Sequence, residues 1–281
     1  MMRTTERWNE GTSLQGFSAH LGYLYADKPF RERLFAARDA GFRAVEHPNP
    51  YSVPAADLAA WVGESGLSYA QLALPSGDAA RGEKGMAALP GRTDEFRESV
   101  HAGIAYARRI GCLAVHAMAG IRPGDVAEAK LMATYVANMR EAADAARSAG
   151  LTLLIEPIGA ATIADYFMSD AQAAVEAIGL IQRDNVRLLF DVFHETNAGK
   201  DAAAFIRAHG GLIHHIHIAD HPGRHEPGSG RIDFTAVYDA LNVAEYRGFI
   251  GCEYIPAGST EEGLAWLASH RQRLGEFRKR S

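Results

Sequence analysis

Cysteine is scarce in this chain, with only Cys112 and Cys252 among 281 residues. Both sit inside apolar runs that belong to different strands, which excludes a disulfide framework and makes both reduced core residues. A long apolar run is missing as well: nothing approaches the roughly 20 consecutive apolar residues of a membrane span. The opening MMRTTERWNEGTSLQG is polar and charged, without the apolar centre of a signal peptide. Excess basic charge is also lacking. The 29 Lys and Arg are outnumbered by 34 Asp and Glu, a net charge of -5, and the cations are scattered, which argues against a nucleic-acid surface. These absences lead to a cytoplasmic protein whose partner is a small molecule, with no nucleic acid and no membrane; self-association into a homo-oligomer stays open.

What the chain does have is apolar content, 47% of residues, ample for one large core. From residue 16 onward short apolar runs alternate with longer helical patterns. The runs are GFSAHLGY (16–23), FRAVEH (42–47), LSYAQLALP (67–75), CLAVHAMAG (112–120), LTLLIEP (151–157), VRLLFD (186–191), LIHHIHIAD (212–220) and FIGCEYIP (249–256). Helical stretches follow them at 29–40, in the latter part of 50–66 after a loop and with Pro54 in the first turn, and at 93–110, 124–149, from 171, 201–209, 235–244 and 260–280. The Gly- and Ala-rich residues 75–91 carry no period and read as a long loop. Eight strand–helix pairs of α/β type predict a single (β/α)8 TIM barrel over 16–281, preceded by a polar extension at 1–15.

In such a barrel the site lies at the carboxyl ends of the strands. Glu156, Asp191, His217 and Glu253 each end an apolar run of strand length. Three carboxylates brought together in an apolar mouth need a cation among them. Three oxygen donors with one imidazole suit Mn²⁺ or Mg²⁺ better than a structural zinc. Taken singly, each could instead be a strand-end ion-pair partner or a helix cap. His194, three residues past Asp191, is expected to touch substrate or orient Asp191, or to be an ordinary loop histidine. Arg224 and His225, in the loop after strand seven, can grip a carboxylate or hydroxyl, and Glu46 at the end of strand two can reach the pocket. His215 shares a face with His217, one layer deeper, where a hydrogen-bonded core histidine is the plainer reading. His116 on strand four is open in the same way.

The pieces GMAALPGR (85–92), VHAMAG (115–120), LLIEPI (153–158), FDVFHETN (190–197), ADHPGRHEPGSGRIDF (219–234) and GCEYIPAGSTEEGLAWL (251–267) resemble the hydroxypyruvate isomerase family, among the xylose-isomerase-like barrels. The resemblance implies reversible isomerisation of hydroxypyruvate and tartronate semialdehyde, or of a related acid such as 2-oxo-tetronate. It also implies that two glutamates, here Glu156 and Glu253, bind one divalent metal ion and exchange the substrate proton through an enediolate. The family typically carries Gln in a piece resembling HVQIA; this chain has HIHIA with His217, as related ketose 3-epimerases do. A ketose or keto-acid 3-epimerase with the same four ligands is therefore the alternative, and a sugar-binding barrel without catalysis a more distant one.

Overall fold

Eight short strands alternate with helices in the computed structural model, which describes residues 14–277, with side chains through 273. Most of the polar extension, residues 1–13, and the last residues of the expected closing helix lie outside the described residues. The strands are β1 (Gly16–His20), β2 (Ala44–Glu46), β3 (Ser68–Ala73), β4 (Cys112–His116), β5 (Thr152–Ile155), β6 (Val186–Asp191), β7 (Ile213–Ile218) and β8 (Phe249–Cys252). Around the closed barrel they run in chain order from β1 to β8. The helices are α1 (Phe30–Asp39), α2 (Ala55–Ser65), α3 (Thr93–Ile110), α4 (Glu128–Ser148), α5 (Ala171–Ile181), α6 (Val192–Asn197), α7 (Ala202–His209), α8 (Phe234–Val243), α9 (Thr260–Gly263) and α10 (Ala265–Phe277). The expected fold is borne out. Among the described residues no helix is long and apolar enough to cross a membrane, and both cysteines are free and buried.

The chain divides into two compact units. One holds β7, β8, β1 and β2 in parallel pairing, with His20 beside Glu46 and His217 beside Gly251 in register. The other holds β3 to β6, also parallel, with Ala73 beside His116 and His116 beside Leu154. Side chains alternate between the two faces of each strand. Leu154 and Leu189, two residues before Glu156 and Asp191, therefore share those residues' faces and form a buried cluster with Ala114. The unit that holds β1, β2, β7 and β8 is different in kind: Ser18, His20, Glu46, His215 and His217 are all buried there. Buried polar groups persist only where they find partners.

The helices follow from sequence in the ordinary way. In α3, Phe96, Val100, Ile104 and Ala107 are buried and recur every three or four residues, the spacing of one helical face. Asp94 and Glu95 lie in its first turn and Arg108 and Arg109 in its last, and Gly111 closes it in the left-handed conformation at φ 70°. One detail departs from the expected element map: residues 192–197 form a helix directly after β6. The loop expected at 75–91 is present, and it is pinned. In that loop Gly85 donates to the Ser76 carbonyl at 2.8 Å, Ala88 to that of Ala119 at 2.8 Å, and the Asn138 side chain to the Ala87 carbonyl at 2.9 Å.

A histidine of α10, His270, faces Tyr238 of α8 and is expected to make the fold sensitive to acid. The Tyr238 hydroxyl lies 2.6 Å from Nδ1 of His270, which accepts the bond as a neutral imidazole. Burial, with help from nearby Arg273 and against Asp220, lowers the His270 pKa from 6.5 to about 4. Below pH 6.5 the unfolded chain therefore takes up a proton that the folded chain refuses, and stability falls as the pH drops towards 4. The urea midpoint is expected to decrease between pH 7.5 and pH 5, and to decrease less in His270→Gln; parallel decreases in the two proteins would acquit His270.

Candidate active site

Each of the four residues singled out at strand ends stands at the carboxyl end of its strand. Asp191 closes β6, His217 is the next-to-last residue of β7, and Glu156 and Glu253 directly follow β5 and β8. Asp191 has two tasks. Its Oδ1 accepts from the backbone N–H groups of Phe193 at 2.7 Å and His194 at 3.3 Å, which caps α6. Its Oδ2 faces His194 Nε2 at 3.5 Å and Arg224 Nη2 at 3.3 Å. The cap and the ligand, weighed as alternatives in the sequence, are thus open to one carboxylate through different oxygens.

Glu253 sits in a ring of donors. Its Oε2 lies 2.7 Å from Arg224 Nη2 and 2.8 Å from His217 Nδ1, and its Oε1 is 3.7 Å from His20 Nε2. Burial opposes ionisation of Glu253, yet His217 and Arg224 outweigh it and hold the carboxyl well below its usual range. Asp191 goes the other way. Its burial dominates over the attraction of His194 and Arg224, and the Glu253 charge adds to it, so its pKa is raised. One guanidinium thus serves two carboxylates unequally, closer to Glu253 than to Asp191, and a buried anion is left short of compensation.

Arg224 is placed by its loop. It takes the left-handed conformation at φ 57°, its carbonyl accepts from Ile255 N–H at 2.7 Å, and its guanidinium stacks over the rings of Tyr23 at 5.6 Å and Phe193 at 5.3 Å. The base of the loop is organised by buried Asp220, whose carboxylate accepts from the N–H groups of His221, Gly228 and Ile232 at 2.8 to 3.0 Å. His225 has Nδ1 engaged with the Ile255 carbonyl at 2.8 Å, so it ties the loops after β7 and β8 together. Glu46 is fully buried, with its two oxygens 2.7 Å from His215 Nε2 and 2.8 Å from His217 Nε2 of β7. In the other unit, Glu156 is buried with Oε2 3.5 Å from Nδ1 of His116 on β4.

Among the described residues of the unit that holds β1, β2, β7 and β8, two groups of acidic and histidine side chains could hold a metal ion: Glu46 with His215 and His217, and Asp191 with His217 and Glu253. The second set fits a hard divalent cation by its chemistry, two carboxylates and one imidazole. The ligand atoms of Asp191, His217 and Glu253 lie within 4.8 Å of one another, close to the span of two metal–oxygen bonds of roughly 2.1 Å each.

The family model of the xylose isomerase-like TIM barrel matches residues 34–270. The chain belongs to this family. Among curated proteins it is similar to the 2-oxo-tetronate isomerase of Cupriavidus necator, 39% identical over 254 residues that cover 89% of this chain and 96% of that one. The hydroxypyruvate isomerase of Escherichia coli is 33% identical over 255 residues, 91% of this chain and 99% of its own. A crystal structure from Brucella melitensis, described as an AP endonuclease of family 2, has a TM-score of 0.88 at 36% identity and covers 91% of this chain and 99% of its own. The resemblance drawn from the sequence is borne out in the fold and in relatives that are isomerases.

Several residues of this xylose isomerase-like barrel escaped the sequence reading. His20, at the end of β1, is buried between Tyr23 and His217, with ring centroids 5.1 and 5.9 Å away, and burial lowers its pKa. Tyr23 and Phe193 supply the faces over which Arg224 lies. The available signal was positional: His20 ends its apolar run just as the four chosen residues end theirs.

Proposed function

We propose that this chain is a divalent-metal-dependent isomerase of a short hydroxy-keto acid, interconverting hydroxypyruvate and tartronate semialdehyde or acting on 2-oxo-tetronate. The observation that carries the reading is the grouping of Asp191, His217 and Glu253 donor atoms beside Arg224 at strand ends, in a chain similar to isomerases over nine-tenths of its length. In this reading Glu156, Asp191, His217 and Glu253 hold one Mn²⁺ or Mg²⁺. When bound, the cation supplies positive charge to the two adjacent substrate oxygens.

The protein's own groups do the rest. The reaction takes a proton from the hydroxyl-bearing carbon beside the carbonyl, passes through an enediolate, and returns the proton to the former carbonyl carbon; the hydroxyl proton moves between the oxygens. Glu156 and Glu253 act as base and acid in turn. Arg224 and His194 orient the substrate by its carboxylate and hydroxyl, with His225 fixing the loop that carries Arg224. The acidic balance of the chain disfavours a phosphate backbone as substrate, and two free cysteines suit a reducing compartment such as the cytoplasm.

Incubation of the Mn²⁺-loaded enzyme with hydroxypyruvate and with 2-oxo-tetronate in deuterated water, followed by NMR, tests the reading. The expected result is migration of the carbonyl, with solvent deuterium appearing at the carbon that receives the proton. A product with unchanged functional groups and one inverted centre would identify an epimerase instead; an unchanged spectrum with every short keto acid and ketose would leave a binding protein.

A further inference from the structure

The polar interior of β1, β2, β7 and β8 is organised by one carboxylate that does not face solvent. Glu46 has Oε1 2.8 Å from His217 Nε2, and Oε2 2.7 Å from His215 Nε2 and 3.0 Å from the Ser18 hydroxyl, which donates to it. Ser18, Glu46, His215 and His217 are each at most 2% exposed, so water does not substitute for any of these contacts. The neighbouring strand makes room for them. Gly251 pairs with His217 in register, and a Cβ there would stand 2.4 Å from Glu46 Oε1, 2.6 Å from His217 Cδ2 and 2.7 Å from His215 Nε2. No side chain larger than hydrogen leaves the carboxylate where it is.

An ionised carboxylate only accepts hydrogen bonds, so each histidine nitrogen that faces it must carry a proton. A neutral imidazole with its proton on Nε2 has its lone pair on Nδ1. For His217 that nitrogen faces Glu253 Oε2, 2.8 Å away, the side on which Asp191 and Glu253 gather; the anionic Glu253 draws a proton onto Nδ1 by the same rule, and a cation bound there would take that proton's place. A metal accepts only the unprotonated nitrogen.

We propose that Glu46 is the positioning residue of this site: it keeps the His217 proton on Nε2, fixes the ring plane, and thereby presents Nδ1 as the nitrogen that ligates. His215 and Ser18 hold the carboxylate in place from the other oxygen. The inference rests on the reading of Asp191, His217 and Glu253 as metal ligands, and extends it one layer inward. It also explains why a charge is tolerated where solvent does not reach it. The carboxylate–histidine pairing behind a ligand position is worth retaining if it sets the ligand's tautomer and orientation.

Two measurements on the whole protein test it, neither of them activity. Glu46→Leu preserves approximate volume and removes both acceptors; calorimetric titration with Mn²⁺ is expected to show roughly a 10- to 100-fold loss of affinity relative to the wild type. In the wild-type protein loaded with Mg²⁺, two-bond ¹⁵N–¹H correlations of histidine are expected to show His217 protonated at Nε2 and bare at Nδ1. Should Glu46→Leu not fold, the second measurement decides by itself. Affinity within threefold of the wild type in a folded Glu46→Leu protein, or a bare Nε2 on His217, would overturn the role of Glu46. Failure of the wild type to bind Mn²⁺ at all is a different outcome, and would remove the metal reading underneath it.

Discussion

Glutamine in place of Glu156 or Glu253 is expected to lower the isomerisation rate by about 10³-fold, within the range that general acid–base groups contribute, while leaving a folded barrel. The substitution keeps the shape of the side chain and removes the atom that takes and returns a proton in the proposed reaction. The two variants should differ in their side effects. Glu253 is the closest partner of Arg224 and of His217 Nδ1, so Glu253→Gln also frees a guanidinium to turn towards Asp191 and is expected to raise KM along with lowering kcat. Glu156 stands in a different setting, with His116 beside it, so its loss is expected chiefly in kcat. Initial rates by NMR with circular dichroism on the same samples check both. A variant that folds and keeps a rate within about threefold of the wild type has no place in proton transfer.

Stripping divalent ions with a strong chelator is expected to abolish turnover, and added Mn²⁺ or Mg²⁺ to restore it. The physical reason is the imbalance around Asp191: burial raises its pKa, and the one guanidinium it shares lies nearer Glu253. A cation among the carboxylates removes that penalty in the folded state only. Binding at a hundred times Kd adds about 2.7 kcal/mol to folding, which for a chain of this size corresponds to a rise in Tm of roughly 5–10 °C. The restoring ion should therefore raise Tm as well as activity. Full activity in protein shown by elemental analysis to be metal-free would end the metal reading.

Much of the barrel was legible because buried parallel strands read as short apolar runs, and eight of them alternate with helical patterns. The place where the reading went astray is local. In VRLLFDVFHE an apolar run continues past Asp191, and periodicity cannot separate the last residues of a strand from the first turn of a helix. Only the aspartate side chain folded back on Phe193 N–H and His194 N–H marks the change. The loop at 75–91 lacks any period, yet backbone bonds to Ser76 and Ala119 hold it, and such bonds leave no trace in side-chain order.

By itself the sequence determined which residue types stand at the strand ends: three carboxylates and an imidazole, each behind an apolar run that must be buried. Tertiary structure alone decided what surrounds them. That Glu46 lies under His217 and His215, that Gly251 clears the space it occupies, and that Arg224 bends back over Asp191 and Glu253 all depend on segments distant in the chain meeting through space. Hydrogen bonds and charge pairs of this kind are set by closure of the sheet, and composition and periodicity along a single strand carry no record of them.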